Sequence, residues 1–164
     1  MADTRVFVAG SRAVSRLNAA IRERLDRIID AGHDVLIGDA NGADRAVQQY
    51  FADRKYGRVT VFCTGLKCRN NVAGWTTHSV APPAGVNGGF DFYAVKDREM
   101  ASRATHGLML WDGESRGTFT NIKNLVRDGK PVVVYLGTAK AFVTVRTSEE
   151  ATSLLSKVSL LPTP

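Results

Sequence analysis

The chain has 164 residues, is 44% apolar and carries a formal net charge of +6 at pH 7. That describes one globular domain, residues 1–164, around a single core, and it excludes a membrane-spanning helix because no apolar run approaches the ~20 residues one requires. The basic balance favours anionic partners, a phosphorylated metabolite or nucleic acid, although the arginines of the first helix (Arg16, Arg22, Arg24, Arg27) read equally well as a solvated face.

In chain order, "RVFVAG" (5–10) is a short apolar run closed by glycine and reads as a buried strand. Val14, Leu17, Ile21, Leu25 and Ile28 follow at helical spacing, with Gly32 as the stop. "HDVLIG" (33–38) is a second strand, 40–57 a second helix with Ala43, Val47, Tyr50 and Phe51 on one face, and "RVTVFC" (58–63) a third strand. Residues 64–93, rich in glycine and proline, predict a long irregular insertion. Trp75, His78, Phe90, Phe92 and Tyr93 in it could cover a ligand or simply pack on one another. A helix at 94–105, a fourth strand at 107–111, a helix at 118–129 with Phe119, Ile122 and Val126 inward, and a fifth strand at 131–136 come next. Residues 141–145 suit an edge strand, and Ser148 suits the N-cap of a last helix through Leu154, Leu155 and Val158.

Apolar strands alternating with amphipathic helices predict an α/β fold, a Rossmann-like open doubly wound parallel sheet of order 3-2-1-4-5 with helices on both faces. The ligand crevice of such a sheet lies beyond the carboxyl ends of strands one and four. The start "ADTRVFVAG" shows no basic-then-apolar leader, so a cytoplasmic protein is expected. The C-x4-C pair, Cys63 and Cys68, has no second pair at zinc spacing. Free thiols are the expectation, with a disulfide or a metal site as alternatives, and no metal is expected.

Three glycine-bearing turns point at that crevice. In Gly10-Ser11-Arg12 the glycine permits the turn, the serine offers a hydroxyl and the arginine a fork of donors for phosphate or carboxylate. In "GDANGAD", Gly38, Gly42 and Ala43 lead into a helix whose N–H groups suit an anion or a hydroxyl. Asp39 could hold ribose hydroxyls, whereas Asp44 in the first helical turn also complements the helix dipole. In "DGESRGTFTN", Asp112, Gly113, Ser115, Arg116, Gly117 and Thr118 form a plausible phosphate cradle, although neither a Walker loop nor G-x-G-x-x-G is present.

Together "VFVAGSR", "IGDANGADRAVQQYF", "KDREMASRATHGLMLWDGESRGTFTNI" and "GKPVVVY" resemble the SLOG superfamily, its small YspA-like branch above all, over most of residues 5–136. The resemblance implies a nucleotide or nucleotide-derived ligand such as a nucleoside phosphate, ADP-ribose or an NAD derivative. It also implies a pocket bordered by Lys96, Asp97 and Met100, and a tendency to self-associate into homo-oligomers. The related LOG-type phosphoribohydrolases place a glutamate after G-T-x-x; here that position is Asn121, which has no carboxylate for glycosidic chemistry. A binding or sensor protein is therefore the first expectation. The alternatives are a nucleotide N-glycosidase using Asp112, or Asp39, Asp97 or Glu99, and nucleic-acid binding like that of the related DprA.

Overall fold

In the computed structural model residues 3–159 are described, the last two by backbone alone. The elements are β1 (Arg5–Gly10), α1 (Ala19–Ala31), β2 (Asp34–Ile37), α2 (Ala43–Asp53), β3 (Val59–Thr64), β4 (Thr76–Val80), α3 (Gly89–Arg103), β5 (His106–Trp111), α4 (Arg116–Arg127), β6 (Val132–Leu136), β7 (Ala141–Val145) and α5 (Ser148–Ser159). They build a seven-stranded sheet of order β4-β3-β2-β1-β5-β6-β7. All pairings are parallel except β6 with β7, which run antiparallel.

This order differs from the five-strand prediction, and the departure lies at the edges. β4 stands inside the segment expected to be irregular, pairing Thr60 with Thr76 through Thr64 with Val80. Its sequence, TTHSV, is mostly polar, so it carries no apolar run to announce a strand. α3 begins five residues before its expected start, at Gly89, because "GFDFY" is absorbed into the helix. α1 in turn begins later than the apolar spacing suggested. Asn18 caps it, its side chain accepting from the Ile21 N–H, while Val14 and Leu17 pack from the preceding loop. Gly32 closes α1 in the left-handed region, as its place after the last apolar residue requires. The last helix is capped by Thr147 rather than Ser148: the Thr147 hydroxyl accepts from the Glu150 N–H. Leu154 is buried and Leu155 exposed, and the side chain of Val158 lies outside the described residues.

Alternate residues of each strand feed opposite faces. Val6, Val8, Val35 and Ile37 meet Ile21, Leu25 and Ile28 of α1 and Val47 and Phe51 of α2. Phe7, Phe62, Met109 and Trp111 meet Met100 of α3, Ile122 and Leu125 of α4 and Leu154 of α5. α1 thus leaves β1 for one face while α4 leaves the adjacent β5 for the other. The crevice opens where the chain parts, beyond the carboxyl ends of those strands.

One expectation is overturned here. Cys63 and Cys68 are joined in a disulfide, with Cα atoms 5.2 Å apart, and are not free thiols. β3 ends at Thr64, and Gly65, at φ +82°, turns the chain back so that Cys68 returns beside Cys63.

Candidate functional site

A cleft of about 840 Å³ occupies the switch point. Twelve of the residues singled out from the sequence line it: Gly10, Arg12, Gly38, Asp44, Lys96, Asp97, Met100, Asp112, Ser115, Gly117, Thr118 and Asn121. Six do not: Ser11, Asp39, Gly42, Ala43, Gly113 and Arg116. Ser11, Asp39 and Ala43 among these six are buried, whereas Arg116 is exposed.

The first turn shows why. A Cβ at Gly10 would sit 2.7 Å from both the Ala43 Cβ and the Leu110 carbonyl oxygen, so only glycine lets β1, β5 and the start of α2 converge. Ser11 is 1% exposed. Its N–H donates to the Leu110 carbonyl (2.9 Å), and its Oγ accepts from the Asp112 N–H (3.1 Å) and lies 3.4 Å from the Thr118 Oγ1. The hydroxyl thus splices the first turn to the third. Arg12, next along, lies exposed on the cleft wall and makes no ion pair among the described residues.

In the second turn Gly42 adopts φ +84°, and a Cβ there would collide with the Arg12 backbone carbonyl. Ala43, the next residue, is buried and packs its Cβ against Gly10. Asp39 does not line the cleft, and its carboxylate is taken up by Arg69, which donates to it through its backbone N–H and its guanidinium, both at 2.8 Å. The ribose role foreseen for Asp39 has no support in that arrangement. Asp44 is buried, and only one of its oxygens is engaged, Oδ2 accepting the Ala40 N–H at 3.1 Å. Its Oδ1 has no partner. Burial pushes its pKa up to about 7; nearby Lys96 opposes this and Asp97 reinforces it.

Lys96 is 4% exposed, and its Nζ donates to Asp97 Oδ1 at 2.7 Å. Burial disfavours the charged amine, but Asp97 and Asp44 together outweigh it and raise its pKa. The other Asp97 oxygen accepts from the Asn121 amide at 3.1 Å. Asn121 is therefore the last member of a chain Lys96–Asp97–Asn121 whose two ends are buried and whose middle carboxylate is half-buried. Met100 closes the floor beneath it, facing both core and cleft.

The third turn is ordered by Asp112. Its Oδ1 accepts the N–H groups of Glu114 (2.9 Å) and Ser115 (2.8 Å). Burial raises its pKa, but these N–H groups and the Ser11 hydroxyl more than offset that, leaving it lowered. Gly113 takes φ +87° to make the turn. Ser115 caps α4, its Oγ accepting from the Thr118 N–H at 3.5 Å. Nothing lies within 4 Å of a Cβ at Gly117, so the first turn of α4 opens onto space.

Sequence reasoning missed Arg69, Arg98, Thr120 and Asn124, all of which line the cleft. Arg69 and Arg98 carry no motif that would have singled them out. Phe90 and Tyr93, named only as candidate cover residues, line it too. The Arg69 guanidinium lies 3.9 Å from the Tyr93 ring centre and that of Arg116 4.1 Å from the Phe90 ring centre. Of the alternative catalytic carboxylates, Asp97 and Asp112 reach the cleft. Asp39 and Glu99 do not; the Glu99 carboxylate accepts from Arg103 at 2.7 Å. Among the described residues, Asp39, Cys63 and Cys68 group their ligand atoms within 4.8 Å of one another. With the sulfurs bonded together and Asp39 held by Arg69, that group offers no thiolate to a metal.

The fold defined by these elements is a known α/β architecture. The chain superimposes on the molybdenum cofactor binding protein from the phototrophic bacterium Rippkaea orientalis with a TM-score of 0.59 at 13% identity, covering 97% of this chain and 86% of that one. At that identity the likeness establishes the fold. No protein-family model and no curated protein sequence matches the chain. No helix among the described residues is long and apolar enough to cross a membrane.

Proposed function

We propose that this chain binds a nucleotide or nucleotide-derived ligand, of the nucleoside phosphate, ADP-ribose or NAD class, and acts as a binding or sensor protein of the SLOG type. The observation that carries the reading is the convergence of three features on one cleft. The open first turn of α4 presents its N–H end at Gly117, beside the Thr118 N–H that the Ser115 hydroxyl caps. Arg12 and Arg98 present guanidinium groups that no carboxylate of the described residues neutralises. Phe90 and Tyr93 supply flat apolar faces for a base. A phosphate at the helix terminus and a ring on the aromatics would use all three.

Thermal-shift measurements against AMP, ADP, ADP-ribose and NAD test this, with the neighbour's molybdenum cofactor as a competing ligand. A rise in melting temperature with one of the nucleotides, weakened by Arg12→Ala, is expected. A well-folded sample that responds to none of them refutes the reading.

Hydrolysis of the ligand is the weaker alternative. The lowered pKa of Asp112 and its two backbone N–H partners make it a poor base, and Asn121 is already bonded to Asp97. Release of free base from nucleoside monophosphates, lost in Asp112→Asn, would establish it instead. Nucleic-acid binding would show itself by a steep loss of affinity with salt.

A further inference from the structure

We infer that the Cys63–Cys68 bond is a thiol–disulfide exchange site whose state sets how firmly Arg69 is held on Asp39 and on the wall of the cleft. The inference goes beyond the ligand reading and does not depend on what the cleft binds.

Three placements carry it. The two sulfurs differ in access: Cys63 is fully buried in β3, whereas Cys68 is half-buried in a connection whose Leu66 and Lys67 stand exposed. The cross-link spans only five positions, so it restrains the unfolded chain little and contributes little as a staple. Cys68 is also joined directly to Arg69. The N–H of that peptide bond donates to Asp39 Oδ2, and the Arg69 guanidinium donates to Oδ1 of the same carboxylate while it stacks on Tyr93. Finally, a carboxylate oxygen of Asp39 lies within 4.8 Å of both sulfurs.

A dithiol reductant acts from the Cys68 side. Its thiolate attacks Cys68 Sγ, the S–S bond breaks, and Cys63 leaves with the electron pair and takes up a proton. The reductant's second thiolate then attacks the mixed disulfide and closes a disulfide of its own, and Cys68 is released and protonated in turn. Two electrons and two protons pass to the protein. The freed sulfurs must then separate from bonding distance to van der Waals contact. Cys63 is packed in the core under β3, so the movement falls on Cys68 and on the Arg69 N–H beside it. Reduction also creates two S–H donors next to Asp39, which compete with Arg69 for its oxygens. Both effects loosen the same grip, and Arg69 is one of the residues that line the cleft.

The exchange equilibrium of the full chain with dithiothreitol, read as alkylated thiols by mass spectrometry, tests this. Breaking the bond disturbs the Arg69 contact only where Arg69 is present, so Arg69→Met should favour the dithiol form about tenfold over wild type. Arg58→Met, which removes the pair with Asp34 at the other end of β3, should shift it by less than about twofold. Circular dichroism confirms the fold of each variant. Amide exchange followed by NMR in Cys68→Ser is the second measurement and leaves every arginine in place. The Arg69 N–H should exchange about tenfold faster than in the oxidised wild type, beyond any change at the Trp75 N–H, which donates to Asn71 in the same connection. An unchanged dithiothreitol equilibrium in folded Arg69→Met, or equal acceleration at Arg69 and Trp75, overturns the inference and leaves Cys63–Cys68 a plain staple.

Discussion

Replacing Asp44 by asparagine should remove a fall in stability that the wild-type chain suffers between about pH 5 and pH 8. Asp44 has a pKa near 7 in the folded protein against 3.8 as its ordinary value. Between those values the folded state holds a proton that the unfolded state has released, so stability declines as pH rises through the window. Below pH 3.8 the contribution is complete, and above about pH 7 it is gone. The full difference amounts to roughly 4 kcal/mol, of which about 2.5 kcal/mol falls between pH 5 and pH 8. Lys96, Asp97 and Asp39 surround the group, but all three are present in both proteins, so the comparison isolates Asp44. Urea unfolding of wild type and Asp44→Asn at pH 5, 6, 7 and 8, without reductant, gives the measurement. The stability of the variant minus that of the wild type should climb with pH by about 2.5 kcal/mol over the series. A difference flat to within about 0.5 kcal/mol would show that Asp44 does not titrate in this range and would refute the burial argument.

Three other perturbations have outcomes set by the geometry. Gly42→Ala combines a left-handed backbone with a collision on the Arg12 carbonyl and should lower the melting temperature by about 5 °C or more in calorimetry. Arg69→Met strips the buried Asp39 of its guanidinium partner and leaves only the backbone N–H, which should cost about 3 kcal/mol in denaturant unfolding at pH 7. Reducing the Cys63–Cys68 bond should free two thiols in a colorimetric assay and cost only about 2 kcal/mol, because the loop it closes is short.

The parts of this molecule legible in the sequence are those whose burial is written as hydrophobic pattern. β1, β3, β5 and β6 stand close to their expected positions because a central parallel strand is covered on both faces and reads as an apolar run. β4 was hidden because an edge strand needs no such run: TTHSV pairs through its backbone alone on one side. The glycine turns were legible as turns, and the structure shows at Gly10 and Gly42 what made them necessary. Roles inside the turns were harder to assign. Asp39 and Asp44 are five residues apart and chemically alike, yet Arg69, thirty residues downstream, pairs with the first while the second lines the cleft. No local pattern encodes that choice. The disulfide escaped for a related reason: C-x4-C is ambiguous until Gly65 is known to turn the chain back.

The two arginine–aromatic stacks have a bearing on the thermodynamics of occupancy. Phe90 and Tyr93 belong to the first turns of α3, which starts after Gly88 and has no side-chain cap. An uncapped helix start frays readily, and a ligand that had to order it would lose affinity to that ordering. Arg116 holds Phe90 from α4, and Arg69, itself anchored on Asp39, holds Tyr93 from the β3–β4 connection. The aromatic wall is thus preorganised from two independent directions before anything binds. Its rigidity is supplied by tertiary contacts that the helix's own sequence does not contain.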